Sequence, residues 1–363
     1  MGIHAFDKTI SKLNQLEPTD YTDKIRLSDL KGKKLAVDIS NFIFKFILND
    51  NYYLSSFINL CMKFKKFDIQ CIYVFDGNPP REKNKVLEKR KKIRNKNVEK
   101  LNEYLKELKV FNNEVIINSK VCEKHFIEDK NDLEKKKNIK KNIVKCKKKT
   151  SKITKEHIKE IKTLLDLLKI PYVHINYEAD IVCAYLVKNN IVDACLTNDN
   201  DLVCYQCPVI VKDLDYKTNT LKMININKLS KLLNLNLNQL TFLLILFGCD
   251  YSSKIHYNIL EKIYKLLVNN IPIEEIIEKY LNTNVKVLKS LEIFMSKISF
   301  NKSKDIKYLE IIDIKFKKMD KNYLENYKND ISKKEDVSLY SKKNYLYNLK
   351  NYVDTYYYEF NEM

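Results

Sequence analysis

The chain has no tryptophan, only four glycines and six prolines, and its 66 basic residues include just four arginines against 62 lysines. Asn, Ile and Tyr are abundant instead, a pattern that an AT-rich coding sequence alone would produce. Total charge is therefore weak evidence, and its placement matters more. Any run of about 18 or more apolar residues is also missing, so no membrane-spanning helix is expected. The opening "MGIHAFDKTI" is too short in apolar residues for a secretory signal. Phe6 stands where a myristoylation site needs Ser or Thr. The nine cysteines are scattered and read as reduced thiols of an intracellular protein. Cys204 and Cys207 in "CYQCP" have metal-type spacing, but no second pair exists to complete a zinc site. No internal repeat is visible.

A length of 363 residues with 45% apolar content is ample for one large domain, or for a core with an appendage. The net charge of +19 points to a polyanionic partner. Most of that excess sits in one place. Residues 81–155 hold 26 Lys or Arg and 11 Asp or Glu, a net of +15. The densest part, "EKKKNIKKNIVKCKKKTSK", is too charged to pack in a core. It reads either as a solvated helix or loop, or as an arm that contacts phosphates.

Around this segment strands alternate with helices. "KKLAVDIS" (33–40), "IQCIYVFDG" (69–77), "PYVHINY" (171–177), "VDACLTNDND" (192–201) and "CPVIVKDL" (207–214) read as strands. "SSFINLCMKFKKF" (55–67), residues 153–170, residues 178–190 and "LNQLTFLLILFGCDY" (237–251) carry helical patterns. The expected fold is α/β, a mostly parallel twisted sheet flanked by helices, with a basic helical insert. Residues 254–363 are Lys-rich and Tyr-rich, show no clear strand, and are expected to form an appended helical region.

In a parallel sheet ligands sit at the carboxyl ends of the strands. Asp38, Asp76, Asp199 and Asp201 fall at such ends. Glu178 and Asp180 follow a strand, and Asp250 follows a helix that can return to the same edge. One acid at a strand end is ordinarily a helix cap or turn residue. Seven at one edge are different, because burying clustered like charges costs several kcal/mol per ion unless cations accompany them. Hard divalent ions with oxygen ligands remove that cost, and two of them about 4 Å apart can clamp the attacking and leaving oxygens of a phosphodiester.

These residues resemble the XPG family of structure-specific 5′ nucleases, and within it the flap endonucleases. The resemblance covers roughly residues 1–255, through "MGI", "LAVDIS" (35–40), "YVFDGNPP" (73–80), "TKEH" (154–157), "IPY" (170–172), "EAD" (178–180), "TNDNDLV" (197–203) and "LFGCDY" (246–251). Their order and spacing make the combination highly specific. Gly2, Gly77 and Gly248 all lie in these motifs, in a chain otherwise poor in glycine. The resemblance implies a PIN-like nuclease core over 1–253, with an N-terminal part (1–95), a basic helical arch (about 91–152) and an internal part (153–253). A helical C-terminal region with a degenerate helix–two-turn–helix would follow over 254–363.

It also implies a Mg²⁺-dependent phosphodiesterase, two ions per site with Mn²⁺ as a substitute, acting on DNA with single-strand/duplex junctions in replication, repair or recombination. Carried over by position, Asp38, Asp76, Glu178, Asp180 and Asp199 would serve the first metal, and Asp199, Asp201 and Asp250 the second. Asp180 stands where the family usually has Glu, and the shorter side chain leaves room for a bridging water. Lys83 and Arg90, seven apart on one helix face, match two basic residues that stabilise charge on the scissile phosphate. Phe44 matches a ring that stacks on a base, with a core phenylalanine as the alternative. Gly2, Lys147, Lys148 and Lys149 would contact substrate. Intracellular action, nuclear or at a viral replication site, and a monomeric state are expected.

Three departures qualify the match. "SSKIHYNILEK" (252–262) lacks the glycines of the family's duplex-binding, ion-binding hairpin. The link from Asp38 to Asp76 is short, so the loop that reads a 3′ flap is trimmed. The tail "YYYEFNEM" has no sliding-clamp motif. Rival readings are a 5′–3′ exonuclease, a four-way-junction cutter, a 5′ exoribonuclease, and a catalytically silent nucleic-acid-binding scaffold.

Overall fold

A computed structural model describes residue 3 and residues 6–49, 53–121, 130–168, 170–174, 176–281 and 285–295. Gly2 and the tail beyond residue 295 lie outside the described residues.

The strands are β1 (Thr22–Arg26), β2 (Lys34–Asp38), β3 (Gln70–Val74), β4 (Tyr172–Val173), β5 (Ala194–Leu196), β6 (Val209–Asp215) and β7 (Thr220–Asn225). They form one sheet in the order β1-β7-β6-β5-β2-β3-β4. The run β6-β5-β2-β3-β4 is parallel, as the strand–helix alternation requires. β7 is antiparallel to both β6 and β1. β1 and β7 are additions to the expected sheet. "TDKIR" at the sheet edge has no buried residue, and "TLKMIN" beside it buries only Leu221 and Ile224.

Helices α1 (Phe6–Asn14), α2 (Pro18–Tyr21), α3 (Ile39–Asn49) and α4 (Tyr53–Lys66) precede the basic insert, which is α5 (Asn84–Val121) and α6 (Lys130–Thr150). Next come α7 (Lys155–Leu167), α8 (Ala179–Lys188), α9 (Asp201–Cys204), α10 (Ile226–Leu232) and α11 (Leu237–Leu246). The described chain ends with α12 (Tyr257–Val268), α13 (Ile273–Leu281) and α14 (Val285–Met295). Among the described residues no single helix is long and apolar enough to cross a membrane.

The central strands are buried on both faces. Leu35 and Val37 of β2 face a core with α3, α4 and α7, while Ala36 faces a second core with α8 and α11. Leu260, Ile263 and Leu267, one turn apart on α12, enter that second core with Ile276, Val287, Leu291 and Phe294. The described part of 254–363 therefore shares this second core.

The basic insert is a helical hairpin. Leu101, Tyr104 and Leu108 on α5 are partly sheltered, and on α6 so are Ile139, Ile143 and Cys146, all at three- and four-residue spacing. That is a heptad seam, and the two helices pack along it with their lysines outward.

α11 is apolar on every side and buried. It stops at Gly248, whose φ of +90° is left-handed and whose Cβ position would lie 2.7 Å from the Lys254 backbone nitrogen. Gly248→Ala should cost about 2–3 kcal/mol in urea unfolding, from strain plus the backbone clash. An unchanged midpoint would show that this turn can relax.

Candidate active site

β2 and β5 end side by side, and their terminal side chains lock together. Asp38, buried, accepts from Thr197 Oγ1 at 2.9 Å and from the Asn41 amide group, and its other oxygen accepts from Ser40 N at 3.2 Å. Thr197 Oγ1 also takes the Asp199 backbone N–H at 3.1 Å. Ser40 Oγ reaches across to Asp76 Oδ2 at 2.5 Å, joining the ends of β2 and β3. Asp76 Oδ1 accepts the Ala179 N–H at 3.0 Å, at the amino end of α8, where the helix dipole favours an anion. In this way four segments far apart in sequence are tied to one edge.

Asp180, in the first turn of α8, has a buried Oδ1 with no hydrogen-bond partner. Asp201, the first residue of α9, is 4% exposed and has the same orphaned Oδ1. Burial raises both carboxyls well above the usual range, Asp180 with the added charges of Asp199, Asp38, Asp201 and Asp76, and Asp201 with those of Asp199 and Asp250. Burial, with Asp76 and Asp199 beside it, pushes Asp38 up to about 7.

The cationic side of the site is equally defined. Lys83 Nζ lies 2.6 Å from Glu178 Oε1 and 3.1 Å from Asp250 Oδ2, and Arg90 Nη2 lies 2.6 Å from Asp250 Oδ1. Burial opposes the Lys83 charge, but Glu178 and Asp250 outweigh it and raise its pKa. Tyr251 Oη donates to Glu178 Oε2 at 2.5 Å. Asp38, Asp76, Asp199 and Asp201 all act on Asp180. Glu178 and Asp250 contact Lys83, and Asp201 lies near all three.

Phe44 is half-buried on α3, beside the site's first strand. Lys147, Lys148 and Lys149 are exposed in the last turn of α6, away from the carboxylates in sequence but at the base of the hairpin. Sequence reading missed Ser40, Asn41, Thr197 and Tyr251 as parts of the site. Each lies within three residues of a strand-end or helix-end aspartate, which was the available signal.

Hard oxygen donors, two of them buried and unpartnered, suit a divalent cation such as Mg²⁺. Among the described residues no three acidic, His or Cys side chains already stand as a cage for one ion. Lys83 and Arg90 draw Glu178 and Asp250 toward themselves instead.

The raised carboxyls carry a testable sign. Each binds its proton more tightly in the folded state, so it favours folding most below the ordinary value of 3.8. For Asp38 that contribution is lost as pH rises through about 7. With chelator present, the melting temperature should fall between about pH 5 and pH 8, and Asp38→Asn should shrink the fall. An identical fall in wild type and variant would place the titration elsewhere.

The XPG N-terminal domain model matches residues 1–97 and the XPG I-region model matches residues 169–250. The chain thus carries an XPG N-terminal domain and an XPG I-region. The two matched regions hold all seven carboxylates, Lys83 and Arg90, and the stretch between them is mostly the basic hairpin. Flap endonuclease 1 of Debaryomyces hansenii is 26% identical over 309 residues, 79% of this chain and 73% of that protein. Flap endonuclease 1 of Plasmodium knowlesi is 26% identical over 342 residues, 86% of this chain but only 52% of that protein. In fold the chain is similar to the catalytic core of Rad2 in complex with DNA substrate, with a TM-score of 0.53 and 20% identity over 82% of this chain and 86% of that one.

Proposed function

We propose that this chain is an XPG-type nuclease, a divalent-metal-dependent phosphodiesterase that cuts DNA near single-strand/duplex junctions from the 5′ side. The observation that carries this reading is the pair of buried, unpartnered oxygens on Asp180 and Asp201 among mutually repelling acids. A silent scaffold gains nothing from an arrangement that costs folding energy.

Asp38, Asp76, Asp180 and Asp199 would hold one Mg²⁺, and Glu178, Asp201 and Asp250 a second, with Asp199 near both. Such ions, when bound, polarise a phosphodiester and lower the pKa of water. The protein's own groups do the rest. Ser40, Asn41 and Thr197 fix the rotamers of Asp38 and Asp76. Lys83 and Arg90, released from Glu178 and Asp250, would face the non-bridging oxygens of the scissile phosphate and offset developing charge. Phe44 would stack on a base beside the cut. The hairpin lysines would hold the single strand, with Lys147, Lys148 and Lys149 at its base.

The test is cleavage of end-labelled 5′-flap, nicked, 3′-overhang and four-way-junction DNA in Mg²⁺. Preferential cutting of the 5′ flap near its junction is expected. Equal degradation of every duplex end would favour a plain exonuclease, and binding without cutting a scaffold.

The lysines make a separate prediction. Replacing Lys147, Lys148 and Lys149 with Gln should reduce cutting of long 5′ flaps more than of nicked duplex. The slope of log affinity against log salt should become shallower by about 2, as for three lost single-strand phosphate contacts. Equal losses on both substrates would remove the hairpin base from the strand's path.

A further inference from the structure

Tyr251 directly follows Asp250, yet its contacts lie elsewhere. Its hydroxyl donates to Glu178 Oε2 at 2.5 Å, while Lys83 holds the other oxygen of the same carboxylate. Its ring lies under Lys83, with Nζ 5.8 Å from the centroid. Behind it stands Phe294 of α14, edge-on at 5.5 Å between centroids. The same Phe294 packs on Tyr205 at 4.7 Å, and Tyr205 closes the short helix that begins with Asp201. Phe294 is 4% exposed, locked in the core with Leu291 and Val287. One ring from α14 therefore braces both segments that carry Asp201 and Asp250.

We propose that Tyr251 is a positioning residue of the nuclease site, orienting Glu178 through its hydroxyl and Lys83 through its ring, with Phe294 as the brace that fixes it. The inference rests on the reading of the carboxylates as metal ligands. Glu178 has two oxygens and two partners. When Lys83 swings to a phosphate, Oε1 is freed while Tyr251 keeps Oε2. The carboxylate then presents one oxygen in a fixed direction and does not rotate freely. A hydroxyl that stays protonated is the right group for this, because it donates and never repels. Phe294 makes no polar contact with the site, so its effect must pass through the two tyrosines.

Tyr251→Phe removes one oxygen and keeps the ring, the stacking and the fold. Titration of the full-length protein with Mn²⁺ by calorimetry, without DNA, reads metal affinity independently of turnover. Affinity should fall by roughly 10- to 100-fold in Tyr251→Phe, the range seen when a group orienting a ligand is lost. The saturated single-turnover rate on flap DNA should fall at low Mn²⁺ and recover in part at high Mn²⁺. The dissociation constant for DNA, measured in Ca²⁺, should not change. Phe294→Leu, which fills most of the same volume, should show the same pattern at smaller size. Wild-type Mn²⁺ affinity and rate in Tyr251→Phe, each within about twofold, would overturn the positioning role while leaving the metal reading intact. A drop in melting temperature with unchanged Mn²⁺ affinity would overturn it too, as a merely structural tyrosine. If the wild-type protein itself binds no Mn²⁺, the proposed function falls together with this inference.

Discussion

Asp201→Asn should abolish cleavage and at the same time stabilise the metal-free protein. The side chain is 4% exposed, one of its oxygens has no partner, and its neighbours include Asp199 and Asp250. Asn keeps the shape and removes the charge. The single-turnover rate should fall by on the order of 10³-fold if, as proposed, Asp201 holds a divalent cation. The melting temperature in chelator should rise by a few degrees at about pH 8, corresponding to about 1–2 kcal/mol of relieved repulsion and desolvation. The gain should shrink as pH falls, since the raised native carboxyl takes up its proton ahead of an ordinary one. A stability loss with retained cutting would mean that Asp201 is a structural acid and that the second ion site is misplaced.

Lys83→Ala should move stability the other way. Its ammonium separates Glu178 from Asp250, and both carboxylates are mostly buried. Removing it leaves two facing negative charges, so the metal-free protein should melt lower, and added divalent ion should restore part of the loss. The saturated single-turnover rate should fall by on the order of 10²-fold, with DNA affinity nearly unchanged. Arg90 is about half exposed (44%), so Arg90→Ala should lower the rate with less effect on melting. A weakened dissociation constant with a normal saturated rate would make both residues plain phosphate contacts. The opposite stability signs of Asp201→Asn and Lys83→Ala separate this electrostatic reading from a general loss of packing.

What the sequence made legible follows from local physics. β2, β3 and β5 are short runs of Leu, Val, Ile and Cys that stop at or just before an aspartate, and a buried strand can only stop there if the acid faces a polar edge. The outer strands β1 and β7 were not legible. They span five and six positions and bury only Leu221 and Ile224 between them, too little to stand out in a Lys-rich chain.

Within the site, the seven acids could be seen but their grouping could not. Glu178 joins Asp250 and Lys83 because α8, α11 and the start of the basic insert converge, a contact across 95 residues for Lys83 and Glu178. No periodicity encodes such a meeting. The seam of the basic hairpin was hidden for another reason. Lysines fill the outward positions so densely that Ile139, Ile143 and Cys146 look like interruptions in a charged run, although their spacing is that of a helix interface. Phe294 lay in a region read as an appendage, and its position behind Tyr251 and Tyr205 follows from burial that only the packed core reveals.

The central claim is that these acids form a metal-dependent site for phosphodiester hydrolysis. The most direct measurement follows end-labelled 5′-flap DNA with the wild-type protein in EDTA, then after excess Mg²⁺ is restored to the same sample. The expected result is intact DNA in EDTA and a short 5′ product, cut near the junction, once Mg²⁺ is present. Product formed in EDTA, or no product with either Mg²⁺ or Mn²⁺ on flap, nicked or four-way-junction DNA, would contradict the claim.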